Sequence, residues 1–487
     1  MRNPERLLRA VCLAPLALMA GCSLAPAYNK PTLATPASYK EMPGGWTSAS
    51  PSADAPVAAW WTSFGDSTLN QLEERVEKGN PSLAIALARY DEAKGALRQT
   101  QADLLPQIAA GGSAQRDRVS RNRPLTTGQA ATYNEYQAGA SLAWEIDLFG
   151  RIRNGVKAGR AEAQASAADV AGVRLALQTQ LAAAYFQMRG LDAREGLLRQ
   201  TVEAYQRAFD LTGTRHEGGI ASGLDTSRAR AQLTIAQAEL AGISAQRAAF
   251  EHAIAVLIGE PASSFSLPAD ARLPGPPSFP TATPSILLQR RPDIDAAERR
   301  VYAANARIGV ARAAFFPAIS LGGAGGYQTT GPNLLSAASS FWALGPASLS
   351  QTVFDGGKRA AGVRIARASF EEAAASYRQT VLTAFKEVED DLANGRDLVK
   401  QEDAMRNAVD AADTTRELAL TRYRDGAADY LDVVTAQTAA LDAERSLLDL
   451  HTRQLTTAVD TARALGGFVQ LPREAYDDRD AHPNMRR

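Results

Sequence analysis

Residues 135–148 read Glu135-Tyr136-Gln137-Ala138-Gly139-Ala140-Ser141-Leu142-Ala143-Trp144-Glu145-Ile146-Asp147-Leu148. Side chains of a strand point alternately to its two faces. One face therefore carries Tyr136, Ala138, Ala140, Leu142, Trp144, Ile146 and Leu148, and the other carries acids, amides and small residues. That is the length and pattern of a strand crossing an outer membrane, with Leu142, Trp144 and Ile146 toward lipid. A half-buried strand in a soluble sandwich would show the same alternation. Three looser, Gly-rich partners follow the same period at 107–115, 318–328 and 341–354. Tyr327, Phe341, Trp342 and Phe354 are placed to join Trp144 in an interfacial aromatic girdle. Four strands do not close a barrel, because the smallest membrane barrels have about eight. If these strands cross a bilayer, several chains must pool them, since open edges are not tolerated in lipid.

The strands sit inside an internal repeat. Pro81-Ser82-Leu83-Ala84-Ile85 opens a segment that reaches Leu104-Leu105-Pro106-Gln107-Ile108 and then Gly111-Gly112. Pro292-Asp293-Ile294-Asp295-Ala296 opens another, reaching Phe315-Phe316-Pro317-Ala318-Ile319 and Gly322-Gly323, at a constant spacing of 211 residues. Gly150-Arg151 matches Gly357-Lys358 and Leu224-Asp225 matches Leu431-Asp432, each 207 residues apart. A unit of helix, strand hairpin, long helix, glycine-bearing turn and helix thus occurs twice. Helical segments are expected near 66–104, 156–213, 223–258, 285–314, 359–423 and 429–466, rich in Ala, Gln, Arg and Leu. The two longest would extend on the order of 80–100 Å, which no compact globule accommodates. Small residues at helical spacing, such as Ala161, Ala165 and Ala168, allow close coiled-coil-like packing. The fold class that follows is mainly α with a membrane β part, internally duplicated.

The N-terminus sets the compartment. Arg2, Arg6 and Arg9 precede an apolar run from Ala10 to Ala20 that is too short to span a bilayer and reads as a signal peptide. It ends Leu18-Met19-Ala20-Gly21-Cys22, which resembles a bacterial lipobox with Met19 where Leu is usual. Cleavage before Cys22 would discard Cys12 and leave the only remaining thiol acylated. A Pro/Ala/Ser-rich tether or docked strap follows to about Ala59. The expected divisions are a signal peptide at 1–21, an anchored strap at 22–65, and a first repeat at 66–260 with its hairpin at about 107–148. A Pro-rich connector at 261–284, a second repeat at 285–470 with its hairpin at about 318–354, and a tail at 471–487 complete the chain.

Composition excludes much else. The 487 residues carry 53 Lys+Arg against 53 Asp+Glu, which lacks the basic excess of a nucleic-acid binder. Two cysteines rule out a disulfide framework or a Cys-rich zinc site. With 45% hydrophobic and 22% charged residues the chain is no polytopic helical membrane protein. Gly356-Gly357-Lys358-Arg359 lacks the spacing and hydroxyl of a phosphate loop, and His216, His252, His451 and His482 are scattered. No nucleophile stands near a base at a recognised spacing, so no enzyme, no metal site and no cofactor are expected.

Several motifs together resemble the outer-membrane efflux protein family. They are Gln289-Arg290-Arg291-Pro292-Asp293-Ile294, Ala296-Ala297-Glu298-Arg299, Ala303-Ala304-Asn305-Ala306-Arg307-Ile308-Gly309 and Ala313-Ala314-Phe315-Phe316-Pro317. Trp144 to Arg151, Tyr430-Leu431-Asp432-Val433 and Ala436-Gln437 continue the match. With the lipobox, the chain is similar to the lipoprotein branch, the OprM/NodT-type channels of the TolC-like superfamily. The resemblance implies a homotrimer with a 12-stranded barrel, a helical periplasmic tunnel and an equatorial collar. It implies an outer-membrane location, with a covalent lipid on Cys22 and extension into the periplasm. The implied task is the passive exit duct of a tripartite, RND-type efflux pump for drugs or other small toxic compounds. Its partners would be a periplasmic adaptor and an inner-membrane transporter.

By the same resemblance Leu431 and Asp432 line a periplasmic constriction, and Tyr423 matches a gate tyrosine. Asp225 is the repeat counterpart of Asp432; both acids also suit the positive end of a helix. Gly218 and Gly426 are expected adaptor contacts at the two corners, where a pure turn role explains them equally well. Asp429 is positioned to cap the last helix. Thr435 and Thr438 stand where relatives carry an acid or an arginine. A type I protein-secretion duct and a lipid-anchored coiled-coil scaffold are the competing readings, and the sequence is silent on substrate.

Overall fold

The computed structural model describes residues 23–33, 36, 38–42, 59–122, 130–277 and 290–467. The signal segment and Cys22, most of the second half of the strap, part of the connector and the C-terminal tail lie outside the described residues. The helices are α1 (Ser67–Gly79), α2 (Pro81–Ala102), α3 (Arg151–Glu217), α4 (Gly223–Leu257), α5 (Pro292–Ala313), α6 (Lys358–Arg424) and α7 (Tyr430–Ala464). The strands are β1 (Gln107–Val119), β2 (Ala131–Ile146), β3 (Ala318–Thr329) and β4 (Ser340–Ser350). Element lengths recur between the repeats: α2 and α5 have 22 residues, α3 and α6 have 67, and α4 and α7 have 35. No helix among the described residues is long and apolar enough to cross a membrane.

One departure from the sequence reading lies at the start. A single helix was expected across 66–104, but the chain breaks between α1 and α2 at Asn80, which is extended (φ −73°, ψ 121°). The residue before a proline is pushed out of the helical region. Asn80 turns this into a joint: its Oδ1 accepts from Ser82 N and Leu83 N at 2.7 and 3.1 Å, and its Nδ2 donates to Leu257 O at 2.6 Å.

The chain forms two compact units, each drawn from both repeats. The first comprises Arg89–Ser166, Ala297–Tyr377 and the described part of Met1–Thr32. Its sheet has the order β1-β2-β3-β4, antiparallel throughout. Directly paired residues share a face. Ile108, Leu142, Gly323 and Leu344 therefore form one transverse row, and Ile146, Ile319 and Leu349 another on the same face. Among the described residues most of this face is left uncovered: Ile108 is 74% exposed, Trp342 83% and Leu344 91%, while Trp144 at its lower end donates to Leu104 O at 3.0 Å. The opposite face carries Gln115, Glu135 and Gln328, joined through the Glu135 carboxylate, and the hydroxyl pair Ser320–Ser348 at 2.6 Å.

Register corrects the girdle. Tyr327, Trp342 and Trp144 lie on the apolar face, but Phe341 pairs with Gly326 on the polar face, and Phe354 lies beyond the end of β4. Neighbours in a strand cannot share a face, so Phe341 and Trp342 cannot both meet lipid.

The N-terminal strap is bound along this unit. Ser23 Oγ donates to Asn154 Oδ1 at 2.9 Å, Arg312 donates to Leu24 O at 3.2 Å, and Asn305 donates to Pro26 O at 3.0 Å. Tyr28 meets Tyr302 edge-on at 5.0 Å, and Lys30 pairs with Glu298 at 2.7 Å. Gly309 makes this contact possible, because a Cβ there would lie 2.8 Å from the backbone N of Ala25.

The second unit comprises Leu33–Ala88, Ala167–Ala296 and Arg378–Arg487, of which the tail is not described. Its core holds Leu69, Leu72, Leu181, Tyr185, Phe186 and Leu198. Asp66 caps α1 through Thr68 N and Leu69 N and also accepts from the Tyr185 hydroxyl at 2.7 Å. The connector is held by charge. Buried Asp192 accepts from Arg189 at 2.9 Å, Arg247 at 2.6 Å and Asp270 N at 3.1 Å, while the two arginines donate onward to Pro268 O and Leu267 O.

Glu73 on α1 is 1% exposed, and neither carboxylate oxygen has a hydrogen-bond partner. Burial raises its pKa to about 9. The acid is therefore neutral in the fold and ionised in the unfolded chain, so folding takes up a proton and stability falls as pH rises from about 5 toward 9. Glu73→Gln should stabilise the purified protein by on the order of 2–3 kcal/mol at pH 7 and flatten that decline. Thermal unfolding between pH 5 and 9 measures it; an unchanged pH slope would show that Glu73 is ionised in the fold.

Candidate functional site: the paired helical corners

The second unit contains two helical hairpins, α3–α4 and α6–α7, whose incoming helices end with the same main-chain bonds at a spacing of 207 residues. Ile220 N donates to Arg215 O and Ala427 N to Arg422 O, both at 2.8 Å, while Gly219 N reaches His216 O at 2.9 Å and Gly426 N reaches Tyr423 O at 3.1 Å. This is the paired helix-ending pattern that needs a left-handed residue after the helix. Gly219 (φ +73°) and Gly426 (φ +76°) supply it. The turn counterpart of Gly426 is thus Gly219, not Gly218, whose φ is ordinary.

The outgoing helices begin differently. Ser222 and Asp225 form a reciprocal box on α4: Asp225 N donates to Ser222 Oγ at 3.2 Å, and Ser222 N and Oγ donate to Asp225 Oδ2 at 3.3 and 2.9 Å. Arg228 lies 3.9 Å from the same carboxylate. On α7 the equivalent positions hold Asp429 and Asp432, and Asp429 makes no side-chain cap bond. Asp429 has no hydroxyl to donate the bond that Ser222 Oγ gives Asp225 Oδ2, and two acids brought together there repel each other. Asp225 is therefore occupied in a cap, whereas exposed Asp432 makes no side-chain bond or ion pair among the described residues. Beside these acids Ile220 is 72% exposed, Leu224 57% and Leu431 50%. Thr435 and Thr438 turn their hydroxyls back to Leu431 O and Val434 O of their own helix, each at 2.9 Å.

Tyr423 lies inside the corner. It packs with Ala229, Tyr430 and Val433, its ring 5.2 Å from Tyr430. Burial pushes the phenol above its ordinary range, with the Arg215 charge opposing. Arg215, which the sequence reading did not single out, joins the corners. Its Nη1 donates to Tyr423 O at 2.8 Å and Arg424 O at 3.4 Å, and its guanidinium lies 4.8 Å from the centre of the Tyr423 ring. The repeat-equivalent Arg422 instead donates to Ala427 O of its own corner at 3.3 Å. Further along the hairpins a groove of about 420 Å³ is lined by apolar groups such as Leu197, Tyr205 and Leu211 and by the charges Arg207, Arg416 and Glu444. None of these groups forms a nucleophile–base pair, and no group of three or more His, Cys, Asp or Glu suited to a metal occurs among the described residues.

The outer membrane efflux protein family matches this chain twice, over residues 72–260 and 283–467. The chain is 33% identical over 462 residues to the probable efflux pump outer membrane protein TtgC of Pseudomonas putida, covering 92% of this chain and 93% of the relative. It is 32% identical over 475 residues to the outer membrane protein OprJ of Pseudomonas aeruginosa, covering 96% and 97%. The solved structure of the outer-membrane channel OprN superposes with a TM-score of 0.86 at 31% identity, over 92% of this chain and 99% of that one. The chain belongs to the outer membrane efflux protein family and is an outer-membrane channel component of an efflux pump.

Proposed function

We propose that three copies of this chain pool their strands into one 12-stranded barrel and form the passive exit duct of a tripartite pump for drugs or other small toxic compounds. The observation that carries this is the open sheet. Its apolar face is exposed, and both β1 and β4 present an edge with no strand partner among the described residues. An unpaired peptide group in hydrocarbon costs several kcal/mol, so such a sheet is tolerable in lipid only when another copy pairs each edge. The channel performs no chemistry; it binds a periplasmic adaptor and, through it, an inner-membrane transporter. The adaptor would meet the corners, with Gly218 and Gly426 at the tips. A lipid on Cys22 suits the strap, because the next residue, Ser23, is tied to Asn154 four residues beyond Gly150, beside the end of β2.

Gating falls to the corners. Three copies of Leu431 and Asp432 would converge as an apolar and an acidic ring. Tyr423 and Asp225 support that ring from within, one as packing and one as a helix cap. Arg215 is the latch between the hairpins.

Heat-resistant trimers on a gel and ion conductance in planar bilayers test the duct; a monomer without conductance would overturn it. Asp432→Ala should lower cation preference by roughly twofold or more, as expected for removal of a charged ring, and unchanged selectivity removes Asp432 from the constriction. Arg215→Ala removes a charge-assisted bond and a ring contact, together about 1–2 kcal/mol, so closed-state openings should rise about tenfold. Arg422→Ala, which touches only its own corner, should leave them near wild type. Cys22→Ser should abolish incorporation of labelled palmitate while retained labelling would place the lipid elsewhere.

A further inference from the structure

The apolar face of the sheet changes character abruptly at its far end. Along β1 this face presents Ile108, Ala110, Gly112 and Ala114, and then Arg116 and Arg118. These arginines stand directly opposite Asn134 and Thr132 of β2, so two guanidiniums, a carboxamide and a hydroxyl share one patch. Both arginines are exposed, and neither makes a hydrogen bond or ion pair among the described residues. The acid between them, Asp117, points to the opposite face by alternation.

The depth of the patch is set by the strand. From Ile146 to Tyr136 β2 rises roughly 33 Å, which at the usual barrel tilt spans about 25 Å, the height of an outer-membrane apolar band. Tyr136, paired with Ala114 one outward step below Arg116, marks the upper edge of that band. Arg116 is one outward-facing step higher, about 5 Å further, at the level of headgroup phosphates. The helices join the strands at the other end, where α2 enters β1 and β2 leaves to α3. The patch therefore faces the outer leaflet, which in a bacterial outer membrane is built of phosphorylated glucosamine lipid. Guanidinium is the side chain best matched to phosphate, through two parallel charge-assisted hydrogen bonds.

We propose that Arg116 and Arg118, with Asn134 and Thr132, bind the phosphates of the outer-leaflet glycolipid, one site on each chain. This rests on the barrel reading above. The outward direction of these side chains leaves the β1 edge free to pair with another copy.

The test extracts the assembled channel in mild detergent and measures co-purifying phosphorylated glycolipid by mass spectrometry. Arg116→Gln/Arg118→Gln should carry about tenfold less than wild type, as expected from losing charge-assisted phosphate bonds, with conductance unchanged. Equal glycolipid on both, with both conducting, overturns the site and leaves the barrel standing; a wild-type chain that forms no conducting channel overturns the barrel itself. A second measurement needs no variant. Wild-type channel in vesicles containing bisphosphorylated lipid A should melt several degrees higher than in dephosphorylated lipid A. Equal melting, or the same stabilisation from inorganic phosphate alone, overturns recognition of the lipid.

Discussion

A peptide group in hydrocarbon must find its hydrogen bond within protein. The rest of this molecule is arranged around that constraint. The chain supplies four strands whose apolar face suits lipid, yet the sheet ends in two open edges. An open sheet is acceptable in water and not in a bilayer, and the pooled barrel proposed above is what would complete it. The constraint also explains the average composition. Membrane-facing side chains are alternate residues of a few short strands, and most of the remainder is long helix of ordinary polarity.

The two repeats show how one backbone plan serves two roles. Their corners share the main-chain hydrogen bonds that end the incoming helix, together with the left-handed glycine. Side chains at equivalent positions act differently. Arg215 crosses to the other hairpin and Arg422 turns home. Ser222 allows Asp225 to be consumed in a cap, whereas Asp429 in the same place leaves Asp432 available. The serine hydroxyl adds a donated bond to Asp225 that Asp429 cannot give Asp432, and the two acids of the second corner repel each other instead.

Much of the fold was legible in residue order. Alternation in 135–148, the spacings of 211 and 207, and the Ala-rich helical runs give strands, repeat and helices without reference to a neighbour. Asn80 was missed because Pro81 was read as the opening of a repeat inside a helix and not as the end of the one before it. Phe341 was misplaced although its adjacency to Trp342 already forbade both from one face; choosing between them required the pairing Gly326–Phe341. Both glycines of the first corner suit a tight reversal by sequence, and only the dihedral angle shows that Gly219 is the left-handed one.

Residue order by itself determined what depends on near neighbours: helix and strand periods, the glycine corners, the lipobox-like end and the family resemblance. Tertiary structure alone decided the strand register, the fixing of the strap and connector, the burial of Glu73 and Tyr423, and the bond from Arg215 to Tyr423 O. Those features join residues tens to hundreds of positions apart. Their energies rest on exclusion of water and on distances of about 3 Å, which local pattern does not encode.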